Sequence, residues 1–170
     1  MSVWLNWKKS GSCITRAGIM FQPDFLELLK LLDEERVEYL IVGGYAVAAH
    51  GHPRFTRDLD IWVNPTLTNG KRIVSALEKF GFGSLGLKPA DFVSPDTAIQ
   101  LGYPPERVIF VTELDGLTFK DSYPRRMERE EKKIPIYYID LLSLITTKKL
   151  TGRPQDLEDA DFLSHMLEEN

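Results

Sequence analysis

Two aspartates separated by a single residue are the side chains in this sequence best suited to chemistry. Asp58 and Asp60 lie in the segment 58–63 (DLDIWV), where polar and apolar residues alternate as in a half-buried strand. Residues two apart on a strand point to the same side of the sheet, so the two carboxylates are expected to lie close together. Two like charges repel at short range unless a cation lies between them. The pair therefore predicts a divalent metal site, with Mg²⁺ as the first choice because it prefers oxygen ligands.

A pair of glycines precedes the aspartates. Gly43 and Gly44 are separated from Asp58 by thirteen residues; they follow a buried-strand pattern over 38–42 and precede a small apolar helix over 45–50. Glycines at such a junction let backbone N–H groups approach a phosphate, and the start of the helix adds a favourable potential. A lone Gly-Gly is as often a simple turn, and a lone D-x-D is often a solvent-facing edge. Their joint occurrence in this order is more specific, and it predicts a nucleotide site.

The elements that must position these residues alternate between helices and strands at short intervals. Residues 20–35 have the apolar spacing of an amphipathic helix that begins near Pro23. Further helices are predicted over 68–80, 140–150 and 155–167, a helical turn over 118–124, and strands over 98–101, 107–112 and 133–139. This interleaving predicts an α+β (α/β) fold.

The first nineteen residues differ from the rest of the chain. Residues 1–19 contain two of the three tryptophans and the single cysteine, Cys13, and they have no periodic apolar face. We interpret them as an N-terminal arm or a non-native extension, with an extra strand as the less favoured alternative. Residues 20–170 are expected to form one domain, and Met20 is the expected first residue of the native protein if residues 1–19 are an extension rather than an arm.

Composition restricts the classes of protein that remain. The 170 residues are 43% hydrophobic and 27% charged, as in an ordinary globular protein, and no apolar run is long enough for a transmembrane helix. The net charge of −4 gives no general affinity for polyanions. One cysteine cannot form an intrachain disulfide, and the first residues lack the apolar stretch of a secretory signal. We therefore expect a cytoplasmic protein with no membrane partner.

The order G-G-x13-D-x-D resembles the nucleotidyltransferase superfamily that includes DNA polymerase β, aminoglycoside nucleotidyltransferases and minimal bacterial nucleotidyltransferases. Within that superfamily, residues 39–63 are most similar to small bacterial proteins near the abortive-infection toxins of the AbiEii type. The segments 100–108 (QLGYPPERV), 115–119 (DGLTF) and 148–163 (KKLTGRPQDLEDADFL) also resemble that group. The resemblance extends from about Met20 to Leu163.

This resemblance implies a mixed β-sheet with helices packed on one face, a C-terminal helical pair and a site at an open edge. It implies that Asp58 and Asp60 bind Mg²⁺ and that Gly43 and Gly44 face the phosphates of a nucleoside triphosphate (NTP). Lys148, in the penultimate helix, matches a lysine that faces the same phosphates. The resemblance does not name the base of the NTP or the acceptor, which could be a protein hydroxyl, a tRNA end or a small aminoglycoside-like molecule.

The sequence departs from the superfamily at its third carboxylate. In similar proteins the stretch after Pro-Pro reads Arg-apolar-Asp, whereas residues 107–112 (RVIFVT) place Ile109 where the acid is expected. Isoleucine can neither bind a metal nor accept a proton. Glu113 has the same strand parity but lies roughly 13 Å further along an extended strand.

The predicted function is a Mg²⁺-dependent transfer of a nucleotidyl group from an NTP to an acceptor hydroxyl, with Asp58 and Asp60 as the catalytic residues. One alternative is a nucleotide-binding relative with weak or no catalysis, because Ile109 replaces the acid. Another is an interaction protein, one component of a toxin–antitoxin pair with an antitoxin partner. Arg153, Asp156 and Asp159 also recur in similar proteins, and they are expected to form a helix-capping or ion-pair network.

Overall fold

The computed structural model describes residues 2–3, 13–14 and 19–169, which form strands, α-helices and several short helical turns. The strands are β1 (Ser2–Val3), β2 (Cys13–Ile14), β3 (Met20–Phe21), β4 (Tyr39–Val42), β5 (Leu59–Val63), β6 (Ala98–Tyr103), β7 (Glu106–Val111), β8 (Met127–Glu131) and β9 (Ile134–Tyr138). The α-helices are α1 (Pro23–Glu34), α2 (Gly43–Ala49), α3 (Leu67–Leu77), α4 (Phe119–Ser122), α5 (Leu141–Thr151) and α6 (Pro154–Glu168). The fold is α+β, as the interleaved patterns predict.

One mixed sheet organises the molecule. Its strand order is β1-β6-β7-β5-β4-β9-β8, and β2 and β3 form a separate antiparallel pair. β5 lies near the middle of the sheet, antiparallel to β4 and parallel to β7. The strand that carries the D-x-D motif is therefore hydrogen-bonded along both of its sides.

The two faces of the sheet differ in burial. One face is closed by apolar side chains that solvent does not reach, among them Tyr39, Ile41, Leu59, Ile61, Val108, Phe110, Ile136 and Tyr138. Phe92, in a short helical turn, packs edge-on against Phe110 on this face with ring centroids 5.7 Å apart. The opposite face carries Asp60 and Ile109, both half-buried, and is covered at one end where Phe119 of α4 packs on Trp62.

Local signals explain where the long helices begin and end. Pro23 occupies the first turn of α1, where its missing N–H costs nothing. Asp140 caps α5, because its carboxylate accepts a hydrogen bond of 3.0 Å from the backbone N–H of Ser143. Gly152 ends α5 in the left-handed conformation, and α6 begins at Pro154. α5 and α6 pack against each other as the expected C-terminal helical pair.

All the predicted helices and strands in residues 38–168 are present, with ends that differ by a few residues. The structure has one further strand in this range. The strand that the sequence did not predict is β8, a run of charged residues (MEREE) that pairs with β9 at the edge of the sheet. No helix among the described residues has both the length and the apolar character needed to cross a membrane.

The predicted N-terminal arm lies mostly outside the described residues. In the part that is described, β1 pairs in parallel with β6 and extends the sheet by one short strand, and β2 pairs with β3. Ile19, the last residue assigned to the arm, is only 4% exposed and belongs to the hydrophobic core. Among the residues whose burial the structure describes, Ile19 is the first that belongs to the core.

Candidate functional site

The two glycines form the first turn of α2, directly after β4, as the sequence predicts. Gly43 has a φ of +64°, a left-handed conformation that side chains with a Cβ rarely adopt. A Cβ at Gly43 would lie 2.2 Å from Oδ2 of Asp60, so the backbone of the turn touches the second aspartate of the motif. Glycine is needed here both for its conformation and for this close approach.

The second glycine faces a different part of the site. A Cβ at Gly44 would lie 2.5 Å from Oγ1 of Thr56 and 3.3 Å from Nη2 of Arg54. Both residues belong to the irregular segment 52–58 that connects α2 to β5. The glycine turn is therefore bordered by a carboxylate on one side and by a hydroxyl and a guanidinium on the other.

Asp58 stands immediately before β5 and is held by a single partner, Arg107 of β7. The guanidinium of Arg107 donates from Nε to Oδ1 of Asp58 at 3.0 Å and from Nη2 to Oδ2 at 2.6 Å. This is a bidentate pair, the strongest geometry for an arginine and a carboxylate. The side chains remain 31% and 29% exposed, so solvent and ligands can reach them.

Asp60 has an unusual affinity for a proton. Burial, with a further contribution from the nearby Asp58 carboxylate, raises the pKa of Asp60 to about 7, although Lys148, Arg107 and Arg54 act in the opposite direction. The two aspartates of the motif thus interact, as expected from their spacing on the strand. At neutral pH Asp60 divides between its neutral and charged forms, and a cation near its oxygens would favour the charged form.

Ile109 shares the face of the sheet on which Asp60 lies. The register of β5 and β7 pairs Asp60 with Ile109, and paired residues on adjacent strands project to the same side. Ile109 is half-buried there. Glu113, with the same strand parity, lies beyond the end of β7 and is exposed. The residue beside Asp60 on the neighbouring strand is thus apolar, at the position where the resemblance described above implies an acid.

Lys148 is buried in a network of ion pairs. Its side chain pairs with Asp156 and, at 3.0 Å, with Asp159 of α6. Asp159 also pairs with Nη1 of Arg54 at 3.0 Å, and Nε2 of His52 lies 3.7 Å from it. Asp156 and Asp159 take part in ion pairs, as predicted, and these pairs join the C-terminal helices to the segment 52–58. Arg153, the third residue of the predicted network, is the exposed N-cap residue of α6.

The predicted contact of Lys148 with a triphosphate stays a prediction. Its ammonium already has two carboxylate partners, and the side chain is 9% exposed. Lys148 nevertheless lies near enough to Asp60 to lower the pKa of that residue. The positive charge of Lys148 therefore favours the charged form of Asp60, and the ion pairs of Lys148 connect this region to α6.

A cavity of about 520 Å³ opens next to the glycine turn. Its walls include Arg54 and Thr56, which border Gly44, together with Tyr45, Arg57 and Glu106. This volume is within the range of sites for small molecules. The cavity therefore offers space for a ligand beside the segment 52–58, and its lining does not include Gly43, Gly44, Asp58 or Asp60.

The donors available to a metal are two carboxylates. Among the residues that the structure describes, no three His, Cys, Asp or Glu side chains are grouped to hold a metal ion. Mg²⁺ is often held by one or two carboxylates together with water and the phosphates of a bound nucleotide. Asp58 and Asp60 supply oxygen donors of the correct kind. They therefore fit a Mg²⁺ ion whose remaining ligands would be water and the oxygens of a triphosphate, and Gly43 lies against Asp60.

The sequence singles out the aspartates, the glycines and Ile109, and their functional roles stay predictions. It does not indicate which residues pair with them. It gave no role to the pairing of Arg107 with Asp58 or of Arg54 with Asp159. The parallel alignment of β5 with β7, if inferred from the sequence, would have placed Arg107 opposite Asp58. The pairing of Arg54 with Asp159 joins residues far apart in the chain, and no local pattern indicates it.

Comparisons with known proteins do not assign this chain to a family. No protein-family model matches it, and no curated protein matches it significantly. A relationship to the nucleotidyltransferases is therefore neither supported nor refuted by these comparisons.

Proposed function

We propose that this protein binds an NTP together with Mg²⁺ at Asp58, Asp60 and the Gly43–Gly44 turn, and that it transfers the nucleotidyl group to an acceptor hydroxyl. The observation that carries the proposal is the contact between Gly43 and Asp60, which brings the glycine turn against the D-x-D carboxylates. A turn of this kind next to paired carboxylates provides phosphate-binding amides and metal ligands at one place.

The residues of the chain have separable roles in this proposal. Asp58 and Asp60 hold Mg²⁺, which supplies charge neutralisation for the triphosphate when it is bound. The turn at Gly43 and Gly44 offers backbone N–H groups to the phosphates of the NTP. The acceptor oxygen forms a bond to the α-phosphorus, the bond from that phosphorus to the bridging oxygen breaks, and pyrophosphate leaves. The proton of the acceptor hydroxyl must pass to a base or to water.

Binding is tested by calorimetry with Mg²⁺ and each of the four NTPs. We expect a signal with at least one NTP, its loss in Asp58→Asn, and no change in the control Asp96→Asn, because Asp96 is an exposed loop residue. Binding that is unchanged in Asp58→Asn would refute the metal-site assignment. Incubation of labelled NTP with Mg²⁺ and cell extract then identifies the acceptor, because label moves to the molecule that carries the hydroxyl.

A second candidate function is nucleotide binding with little or no turnover. The pairing of Asp60 with Ile109 favours it, because an apolar side chain lies where a third carboxylate would otherwise accept the proton or bind metal. A catalytic base typically contributes 10²–10⁴-fold, so its loss would leave only slow transfer. A cytoplasmic location and an antitoxin partner stay predictions of the sequence.

Ile109→Asp distinguishes the two candidates. Because Ile109 is half-buried on the face that carries Asp60, we expect the new carboxylate to be tolerated and Mg²⁺-dependent transfer, measured as pyrophosphate release, to rise by about 10²-fold or more. The control is Val111→Asp, two residues further along the same face of β7. A folded Ile109→Asp protein with no gain in transfer would show that the missing acid does not limit the reaction.

A further inference from the structure

Arg107 occupies both oxygens of the carboxylate that the proposed function assigns to metal. Its two hydrogen bonds to Asp58, at 3.0 Å and 2.6 Å, use the same oxygens that a cation would need. Charge-assisted bidentate pairs are about twice as strong as neutral hydrogen bonds, so a cation that binds these oxygens competes with the guanidinium of Arg107.

The pair is built into the sheet. β5 and β7 are parallel, with Leu59 paired to Val108 and Asp60 paired to Ile109, so the preceding positions, Asp58 and Arg107, are also opposite each other. Neither backbone needs to move for the pair to form. The side chains are each about 30% exposed, so the guanidinium has room to turn away from Asp58 toward a ligand.

A bare divalent cation and a metal–nucleotide complex meet this pair differently. A bare cation must displace the guanidinium and then lies beside its positive charge. A metal–triphosphate complex is negatively charged overall, and its phosphate oxygens match the planar donors of a displaced arginine. The same residue thus opposes one ligand and favours the other.

We infer that Arg107 makes the Asp58 site selective for the metal–nucleotide complex over the bare metal. This inference rests on the proposed function and adds to it a residue that couples the binding of metal to the binding of nucleotide. In the structure, Arg107 lies on the two oxygens of Asp58 that a cation would use. In the complex, the guanidinium turns to the triphosphate.

The test measures two affinities by calorimetry, for Mg²⁺ alone and for the Mg²⁺ complex of the NTP that binds best. Arg107→Gln is expected to bind Mg²⁺ alone about tenfold more tightly and the Mg²⁺–NTP complex about tenfold more weakly, the size of one charge-assisted hydrogen bond. Addition of Asp58→Asn should abolish the gain for Mg²⁺ alone. Lys71→Gln, which removes an exposed charge from α3, should change neither affinity.

Arg107→Lys keeps the charge without the bidentate geometry, and it carries the test if Arg107→Gln does not fold. We expect it to change both affinities in the same directions by a smaller factor. If Mg²⁺ alone binds no more tightly to either variant, while the wild type binds Mg²⁺–NTP through Asp58, the inference about Arg107 is wrong and the proposed function stands. If the wild type binds no Mg²⁺–NTP, the proposed function fails, and the inference fails with it.

Discussion

Gly43 combines two requirements that are usually met by different residues. Its backbone is left-handed, and its α-carbon leaves no space for a side chain because Oδ2 of Asp60 lies where a Cβ would be. Gly86 has almost the same φ, +65°, but a Cβ there would meet nothing within 4 Å. The two glycines therefore separate the cost of the conformation from the cost of the contact.

We expect Gly43→Ala to destabilise the protein by about 3 kcal/mol and Gly86→Ala by about 1 kcal/mol, measured by urea unfolding. The left-handed conformation costs an alanine roughly 1–2 kcal/mol at both positions, and the collision with Asp60 adds to it only at position 43. NTP binding should be lost in Gly43→Ala alone. Equal destabilisation in the two variants would show that Asp60 moves aside without cost.

Asp60 should make stability fall as the pH rises. Its pKa is raised from 3.8 to about 7 in the folded protein, so between these values the folded state holds a proton that the unfolded state has lost. The contribution of the neutral carboxyl is fully present below pH 4 and is lost as the pH rises through about 7.

Asp60→Asn should remove this dependence, because asparagine stays neutral at every pH. We expect the variant to unfold like the wild type near pH 4 and to be more stable by roughly 2–4 kcal/mol near pH 8, in urea titrations at each pH. Asp161→Asn, an exposed change on α6, is the control and should leave the pH dependence intact. A wild-type dependence that persists in Asp60→Asn would assign it to another group.

At this scale the sequence predicts which residues carry chemistry but not the state in which they rest. The types and spacing of Gly43, Asp58 and Asp60 define the motif, whereas the register of β5 and β7 is what places Ile109 on the face of Asp60. The pairing of Asp58 with Arg107 and the neutral fraction of Asp60 depend on which strands are neighbours and on how deeply they are buried. Those are tertiary properties that local spacing does not encode.

At the scale of elements, the C-terminal helices are joined to the segment that lines the cavity. Asp159, which is 2% exposed, forms ion pairs of 3.0 Å with Arg54 of the segment 52–58 and with Lys148 of α5. His52 also stacks on Phe162 of α6, with ring centroids 3.9 Å apart. α6 therefore acts as a support for the loop, although it contributes no residue to the glycine turn or the D-x-D motif.

Asp159→Asn should destabilise the protein by about 3 kcal/mol, because it leaves Lys148 and Arg54 with less negative charge in a buried place. Glu158→Gln, the exposed neighbour, should change stability by less than about 0.5 kcal/mol. Thermal unfolding measures both. If Asp159→Asn is as stable as the control, Asp156 alone balances the two cations.

β8, which the sequence patterns do not predict, shows why hydrophobic periodicity does not detect a strand at the edge of a sheet. β8 reads MEREE, and its charged residues suggest a solvated loop rather than a strand. Only one side of β8 pairs with another strand, so its backbone hydrogen bonds to β9 decide its structure without much burial. Charged residues on an edge strand also oppose pairing with other chains. The strands that position the site are buried, and for this reason their apolar patterns predicted them.

At the scale of the whole molecule, the described core includes Ile19, the last residue of the predicted arm. Ile19 is 4% exposed and Phe21 is fully buried, whereas the sequence predicts that residue 19 belongs to an N-terminal arm or a non-native extension. Burial of an isoleucine side chain stabilises a protein by about 2 kcal/mol. The position at which the chain is cut should therefore matter.

Joining Met1 directly to Ile19 should lower the melting temperature by less than about 4 °C, because, of the described residues that it removes, two residues in the short strand β1 belong to the main sheet. A chain that begins at Met20 loses Ile19 as well, and it should melt a further 4–8 °C or so lower. Calorimetric scans of the two shortened chains and the full chain measure the difference. A large loss in the first chain would show that residues 2–18 are structural.

β5 lies between β4 and β7, and this position determines which parts of the site can change conformation when a ligand binds. Asp60 is paired with Val42 on one side and with Ile109 on the other, so its backbone cannot shift without opening two ladders of the sheet. The segment 52–58 has no such ladder and is held from outside by α6. Its amides should exchange with deuterium early and those of β5 late. The site thus combines a rigid part, β5, with a deformable part, the segment 52–58. We expect conformational change during ligand binding in the segment 52–58.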